Sequence, residues 1–206
     1  MEALYKHEDP EAGLLYVFLD ENQDIYHRSA NIPIQGEPLV LDRNCRNTAA
    51  IHEVAYRHYR GGPVPRSAIA GSPVEFLCAP TLEQQARQIG QLVTRLTQTE
   101  GILAHEIAVL LCTARNRATC EKLLSQCPLP KTLRLGRIED YGPESITVDT
   151  VARFKGLERA VIIVWEFADC DPERDRETFY VGLSRAKSML IICGTKEACT
   201  AKFEVG

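Results

Sequence analysis

Two runs, Val161-Ile162-Ile163-Val164-Trp165 and Leu190-Ile191-Ile192-Cys193, constrain the fold most tightly. Neither alternates apolar with polar residues, so both faces of each strand must be covered, as in the centre of a parallel sheet flanked by helices. Further strands are expected at 14–19, 38–41, 74–78, 107–112, 132–135 and 145–149, with the two central ones at 160–165 and 189–193. Helical periodicity falls between them at 48–59, 81–97, 113–126 and 177–187. The second of these helices carries Leu82, Ala86, Ile89, Leu92, Val93 and Leu96 on one face, and Thr81 is placed to cap it. Strands alternating with helices imply an α/β domain with a mostly parallel sheet and helices on both faces. Gly61-Gly62-Pro63 and Gly71-Ser72-Pro73 bound an irregular stretch after the first helix.

Composition removes several classes. No apolar run reaches the roughly 20 residues of a membrane-spanning helix, and the first residues lack the form of a secretory signal. No membrane partner and a cytoplasmic location are therefore expected. The eight cysteines are scattered without metal-ligand spacing, so no metal site is expected. Cys78, Cys112 and Cys193 lie in apolar runs and are expected to serve as small buried hydrophobes. The net charge of -4 is no footprint for nucleic acid. Much of it sits in residues 1–30, which carry seven acidic and two basic side chains, leaving the remainder close to neutral.

Chemistry concentrates in two segments. In Ile146-Thr147-Val148-Asp149-Thr150-Val151-Ala152-Arg153-Phe154-Lys155-Gly156-Leu157-Glu158, a strand enters a polar loop of the kind that meets ligands in parallel α/β sheets. Gly156 permits close backbone approach, and Lys155 and Glu158 offer a cation and a hydroxyl acceptor. Taken alone, a Lys-Gly pair is a plain turn. In Glu177-Thr178-Phe179-Tyr180-Val181-Gly182-Leu183-Ser184-Arg185-Ala186-Lys187, Phe179, Leu183 and Ala186 share a helix face. Arg185 and Lys187 there complement the helix dipole, or Arg185 meets an anionic ligand.

In this order, joined by an apolar strand, the two segments resemble motifs V and VI of superfamily 1, UvrD/Rep-type DNA helicases. Motif V ends in Lys-Gly-Leu-Glu, and motif VI has the form Tyr-Val-Ala-x-Thr-Arg-Ala. Upstream, Phe18-Leu19-Asp20-Glu21-Asn22-Gln23-Asp24-Ile25-Tyr26 resembles motif III, and Leu41-Asp42-Arg43-Asn44-Cys45-Arg46-Asn47-Thr48 resembles motif IV. The resemblance spans about residues 14–195 and implies a RecA-like fold of the compact type, without the large accessory insertion. It implies that residues 1–35 are the tail of a first motor domain, including motif III, and that 36–206 form the second RecA-like domain with motifs IV, V and VI.

The resemblance also implies roles. Arg46 and Arg185 match arginine fingers that stabilise charge on a transferred phosphoryl group, and Gln23 matches the γ-phosphate sensor. Gly156 and Glu158 match the loop that contacts the nucleotide, and Thr150 and Tyr26 match contacts to single-stranded DNA. No Gly-x-x-x-x-Gly-Lys-Ser/Thr loop is present, since Gly194-Thr195-Lys196 lacks its spacing, and no Asp-Glu pair precedes motif III. ATP and magnesium are thus expected to bind only when a first RecA-like motor domain, in cis or in trans, completes the site. The parent protein is expected to be an ATP-dependent helicase or translocase, and this chain alone is expected to be inactive. His27, Arg28, Cys45 and Ala152 stand where the family has glycine, tryptophan, tyrosine and histidine. These changes favour the alternative, a free-standing non-catalytic module that binds a nucleotide, single-stranded nucleic acid or a partner.

Overall fold

The computed structural model describes residues 44–203. The expected strands at 14–19 and 38–41, Gln23, Tyr26 and the whole of the expected first-domain tail lie outside these residues.

The apolar runs form the middle of a six-stranded, all-parallel sheet. Its strands are β1 (Glu75–Cys78), β2 (Ile107–Leu111), β3 (Arg134–Gly136), β4 (Ser145–Thr150), β5 (Arg159–Trp165) and β6 (Ala186–Gly194), in the spatial order β1-β6-β5-β2-β4-β3. The helices are α1 (Ala49–Ala55), α2 (Leu82–Gln98), α3 (Arg117–Ser125), α4 (Val151–Phe154), α5 (Arg176–Ser184) and α6 (Lys196–Phe203). Strand alternation splits the core in two. Ala108, Leu110, Ile162, Val164 and Ile192 pack with residues of α1, α4, α5 and α6, whereas Val109, Leu111, Ile163, Trp165 and Ile191 pack with residues of α2 and α3. Burying each such aliphatic side chain contributes about 1.5–3 kcal/mol, so two-sided burial of β2 and β5 dominates the stability of the sheet.

Helix α2 shows how local signals and packing agree. The Thr81 hydroxyl accepts the Gln84 N–H, and Ala86, Ile89, Leu92, Val93 and Leu96 are buried. Gln85 on the same face is buried too, because its side chain accepts the Trp165 indole N–H at 2.7 Å and donates to the Ala79 carbonyl at 2.7 Å. That pairing lets a full-size indole with a polar edge lie in the core.

Several expected boundaries move for identifiable reasons. The helix expected from 113 starts at Arg117, because the Thr113 and Asn116 side chains are drawn to the Glu166 carboxylate across the loop. The helix expected over 177–187 ends at Ser184, and β6 begins at Ala186, where it pairs with Arg159 of β5. Residues 151–154, expected as loop, make one helical turn capped by the Thr150 hydroxyl. Helix α6 was not expected at all. Among the three cysteines expected to be buried, only Cys193 is. Cys78 is exposed on β1, which pairs with β6 alone, and Cys112 is half-buried. None of the eight cysteines forms a disulfide, and Cys120, Cys170 and Cys199 are buried with Cys193.

Candidate anion-binding site

The loop at 44–48 enters α1 through a compact side-chain network. The Asn44 side-chain oxygen accepts the N–H groups of Arg46 and Asn47 at 3.0 and 3.2 Å, which folds the loop into a tight turn. The Thr48 hydroxyl then caps α1. This geometry holds Arg46 on the outside of the turn and Asn47 on the inside: Arg46 is exposed and Asn47 is buried.

Arg46 meets the turn that precedes β5. Its Nε lies 3.1 Å from a Glu158 carboxylate oxygen, and Lys187 Nζ lies 3.8 Å from the other. These three side chains are 42–46% exposed, so the cluster is open to solvent. Gly156, two residues before Glu158, has φ of +87°, a conformation that side-chain-bearing residues adopt only with strain. The turn between α4 and β5 needs it to bring Glu158 back to the amino end of β5.

Arg185 is brought to the same end of the sheet by its backbone, but not by its side chain. Its carbonyl accepts the Arg159 N–H at 3.2 Å. Its guanidinium is buried, donating from Nε to the Val181 carbonyl at 3.1 Å and from Nη2 to the Ser184 hydroxyl at 3.1 Å. Lys187 stands on β6 rather than at the end of a helix, so it does not serve the dipole of α5.

Thr150 lies at the carboxyl end of β4, the opposite end of the parallel sheet from Glu158. Its hydroxyl accepts the Arg153 N–H. Beside it, the fully buried Asp149 takes the Thr150 N–H at 2.8 Å and sits 3.2 and 3.6 Å from the guanidinium groups of Arg153 and Arg117. At this end, too, Glu166 holds φ of +58°, its carboxylate accepting from Thr113 at 2.5 Å and from Asn116 at 2.8 Å. Two buried acceptors with dedicated donors over-determine that strained backbone. Arg115, Arg117 and Arg153 thus join Thr150 at one sheet end.

Of the expected site residues within 44–203, Arg46 and Glu158 are in contact, Gly156 shapes the same turn, Arg185 is adjacent but turned inward, and Thr150 is at the other end. Lys187, expected at the dipole of α5, instead adds charge to the Arg46 and Glu158 pair. Asn47 and Asp149 stand in the motif segments with no role expected of them, and Asn47 joins two segments in a way no spacing reveals.

A six-stranded, all-parallel sheet with helices on both faces has the architecture of a RecA-like α/β domain. Residues 145–193 match the family model of the UvrD-like helicase C-terminal domain, a stretch that runs from β4 through β6 and contains the motif V and VI segments. The fold is similar to that of the C-terminal domain of a possible DNA helicase from Lactobacillus plantarum, at 21% identity and a TM-score of 0.56, over 73% of this chain and 86% of that one. No curated protein matches the chain. Among the described residues, no helix is long and apolar enough to cross a membrane.

Proposed function

We propose that the chain is the C-terminal motor half of an ATP-dependent DNA helicase or translocase. The observation that carries this reading is the contact of Arg46 with Glu158, which unites the motif IV and motif V segments in one cationic, solvent-open cluster with Lys187. A phosphate can compete for Arg46 because exposed ion pairs contribute only about 0–1 kcal/mol. The residues present fit the phosphate end of a nucleotide: Arg46 supplies a planar, permanently charged donor, and Lys187 a second positive charge. Glu158 is suited to accept from ribose hydroxyls once Arg46 leaves it. Arg185 reaches a phosphate only if its guanidinium gives up the Val181 carbonyl, which links anion binding to the end of α5.

ATP supplies a transferable phosphoryl group when bound with magnesium, and its triphosphate-binding loop and magnesium carboxylates come from a first motor domain. Gln23 is assigned to γ-phosphate sensing and Tyr26 to the DNA strand on the basis of sequence resemblance. Thr150, with Arg115, Arg117 and Arg153 around it, is suited to phosphates of single-stranded DNA at the far end of the sheet.

The test is ATP turnover by this chain with and without a first motor domain supplied in trans, in the presence of single-stranded DNA. Turnover is expected only for the pair, and Arg46→Ala is expected to lower it by about 10³-fold or more, as for a lost arginine finger. Robust hydrolysis by the chain alone, or no effect of Arg46→Ala in an active pair, counts against the reading. The inward guanidinium of Arg185 favours a second reading, a non-catalytic module, in which the pair stays inactive while the chain still binds nucleotide or DNA.

A further inference from the structure

Asn47 belongs to the Arg46 loop and touches the junction carrying Arg185. Its amide nitrogen donates to the Ser184 carbonyl at 3.0 Å and to the Ala186 carbonyl at 2.6 Å, across 137 and 139 residues of sequence. Its side-chain oxygen accepts from the Asn44 amide at 3.1 Å, and the second Asn44 amide hydrogen points at His52 Nδ1, 2.9 Å away. The orientation is forced: reversing the amide would set its oxygen against two carbonyl oxygens. The Asn47 carbonyl is itself held by the Ser67 hydroxyl at 2.7 Å.

The consequence for Arg185 is specific. The carbonyls of Ser184 and Ala186 are tied to Asn47, and the carbonyl between them, that of Arg185, accepts the Arg159 N–H. Three consecutive peptide groups at the change from α5 to β6 are fixed by partners outside their own element. Two of the three bonds come from the residue next to Arg46. A neutral amide buried this deeply is retained only if its hydrogen bonds are made, since leaving either carbonyl unpaired costs about 1–3 kcal/mol.

We propose that Asn47 is a positioning residue that couples Arg46 to Arg185, so that an anion drawing on Arg46 also shifts the helix end that holds the second arginine. The proposal rests on the nucleotide reading for its ligand, and on geometry alone for the coupling. Asn47 meets no ligand. It acts by keeping two cationic loops in one register.

The experiment is a titration of the 206-residue chain with inorganic tripolyphosphate, an anion that needs no first motor domain to meet Arg46, followed through the side-chain Nε–H resonances of Arg46 and Arg185. In the wild type both resonances are expected to move with one midpoint. In Asn47→Ala, Arg46 is expected to respond with affinity reduced on the order of tenfold, in the range of coupling within one hydrogen-bond network, and Arg185 to cease following it. In an Arg46→Ala background, Asn47→Ala is expected to give no further loss of tripolyphosphate affinity. An equal loss in both backgrounds overturns the proposal, since a purely structural residue acts regardless of Arg46. Asn47→Ser retains one donor and is expected to recover part of the coupling, and it replaces Asn47→Ala if that variant fails to fold.

If neither arginine responds to tripolyphosphate in the wild type, the anion site on which the nucleotide reading rests fails, and hydrogen exchange decides the coupling. The Arg159 amide, which donates to the Arg185 carbonyl, is then expected to exchange at least about tenfold faster in the Asn47 variant, with the Val109 amide in β2 unchanged. Unchanged exchange at Arg159 overturns the proposal.

Discussion

His58 shows what a single polar residue does inside this core. Its ring packs against Phe179 and Phe203 at centroid distances of 5.1 and 5.7 Å, and Nε2 has no hydrogen-bond partner among the described residues. Burial, and then the charges of Arg176 and Arg57, push its pKa down to about 4 from the usual 6.5. The folded state therefore keeps the ring neutral while the unfolded chain takes up a proton below pH 6.5. Stability from this residue is complete above pH 6.5, declines as pH falls toward 4, and levels off below that, for a loss on the order of 3 kcal/mol. Urea denaturation at pH 7 and pH 4.5 is expected to show that decline in the wild type and much less of it in His58→Phe. Equal pH dependence in the two proteins would show that His58 is not its source. His52, also shifted down by burial first and by Arg66 next, adds a smaller slope of the same sign.

At the scale of elements, the contact between α4 and α5 accounts for a departure from the family pattern. Motif VI has alanine where this chain has Gly182, and a Cβ built there would meet Val151 Cγ2 at 3.0 Å. Alanine in a helix interior is worth about 1 kcal/mol over glycine, but Val151 is β-branched, fully buried and slow to yield. Gly182→Ala is expected to stabilise the chain by about 1 kcal/mol when introduced into Val151→Ala, and to give clearly less in the wild type. A thermal-denaturation double-mutant cycle measures the difference. Additive effects would mean that the two elements do not compete for this space.

For the whole molecule, the sheet separates two polar ends, with Arg46, Glu158 and Lys187 at one and Thr150, Arg153 and Asp149 at the other. In the absence of a ligand Glu158 partly neutralises its cationic neighbours. Glu158→Gln is expected to raise affinity for inorganic tripolyphosphate several-fold at low salt, with the gain fading near 1 M salt, where screening acts within about 3 Å. Folding stability is expected to change by less than about 1 kcal/mol, because the pair is exposed. Calorimetric titration of both proteins at two salt concentrations checks this. Weaker binding by Glu158→Gln would mean that the carboxylate orients Arg46 productively rather than competing for it.

The architecture was legible in the chain because its strongest signal, uninterrupted apolar strands separated by amphipathic helices, is dictated by local periodicity. The same holds for Thr81 capping α2, for Gly156 turning the chain before Glu158, and for the motif segments at 146–158 and 177–187. The end of α5 was not legible. No local signal distinguishes Ser184 from Arg185 or Lys187 as a helix terminus, and the choice was made by Asn47 and Arg159, which take the carbonyls there. Nor could spacing tell which arginine would face solvent. Arg46 lies on the outside of a turn folded by Asn44, whereas Arg185 finds hydrogen-bond acceptors within its own helix end. Periodicity records which residues must leave water, and that is a property of each segment. The partners of a buried amide such as that of Asn47 come from distant segments, so only the packed structure decides them.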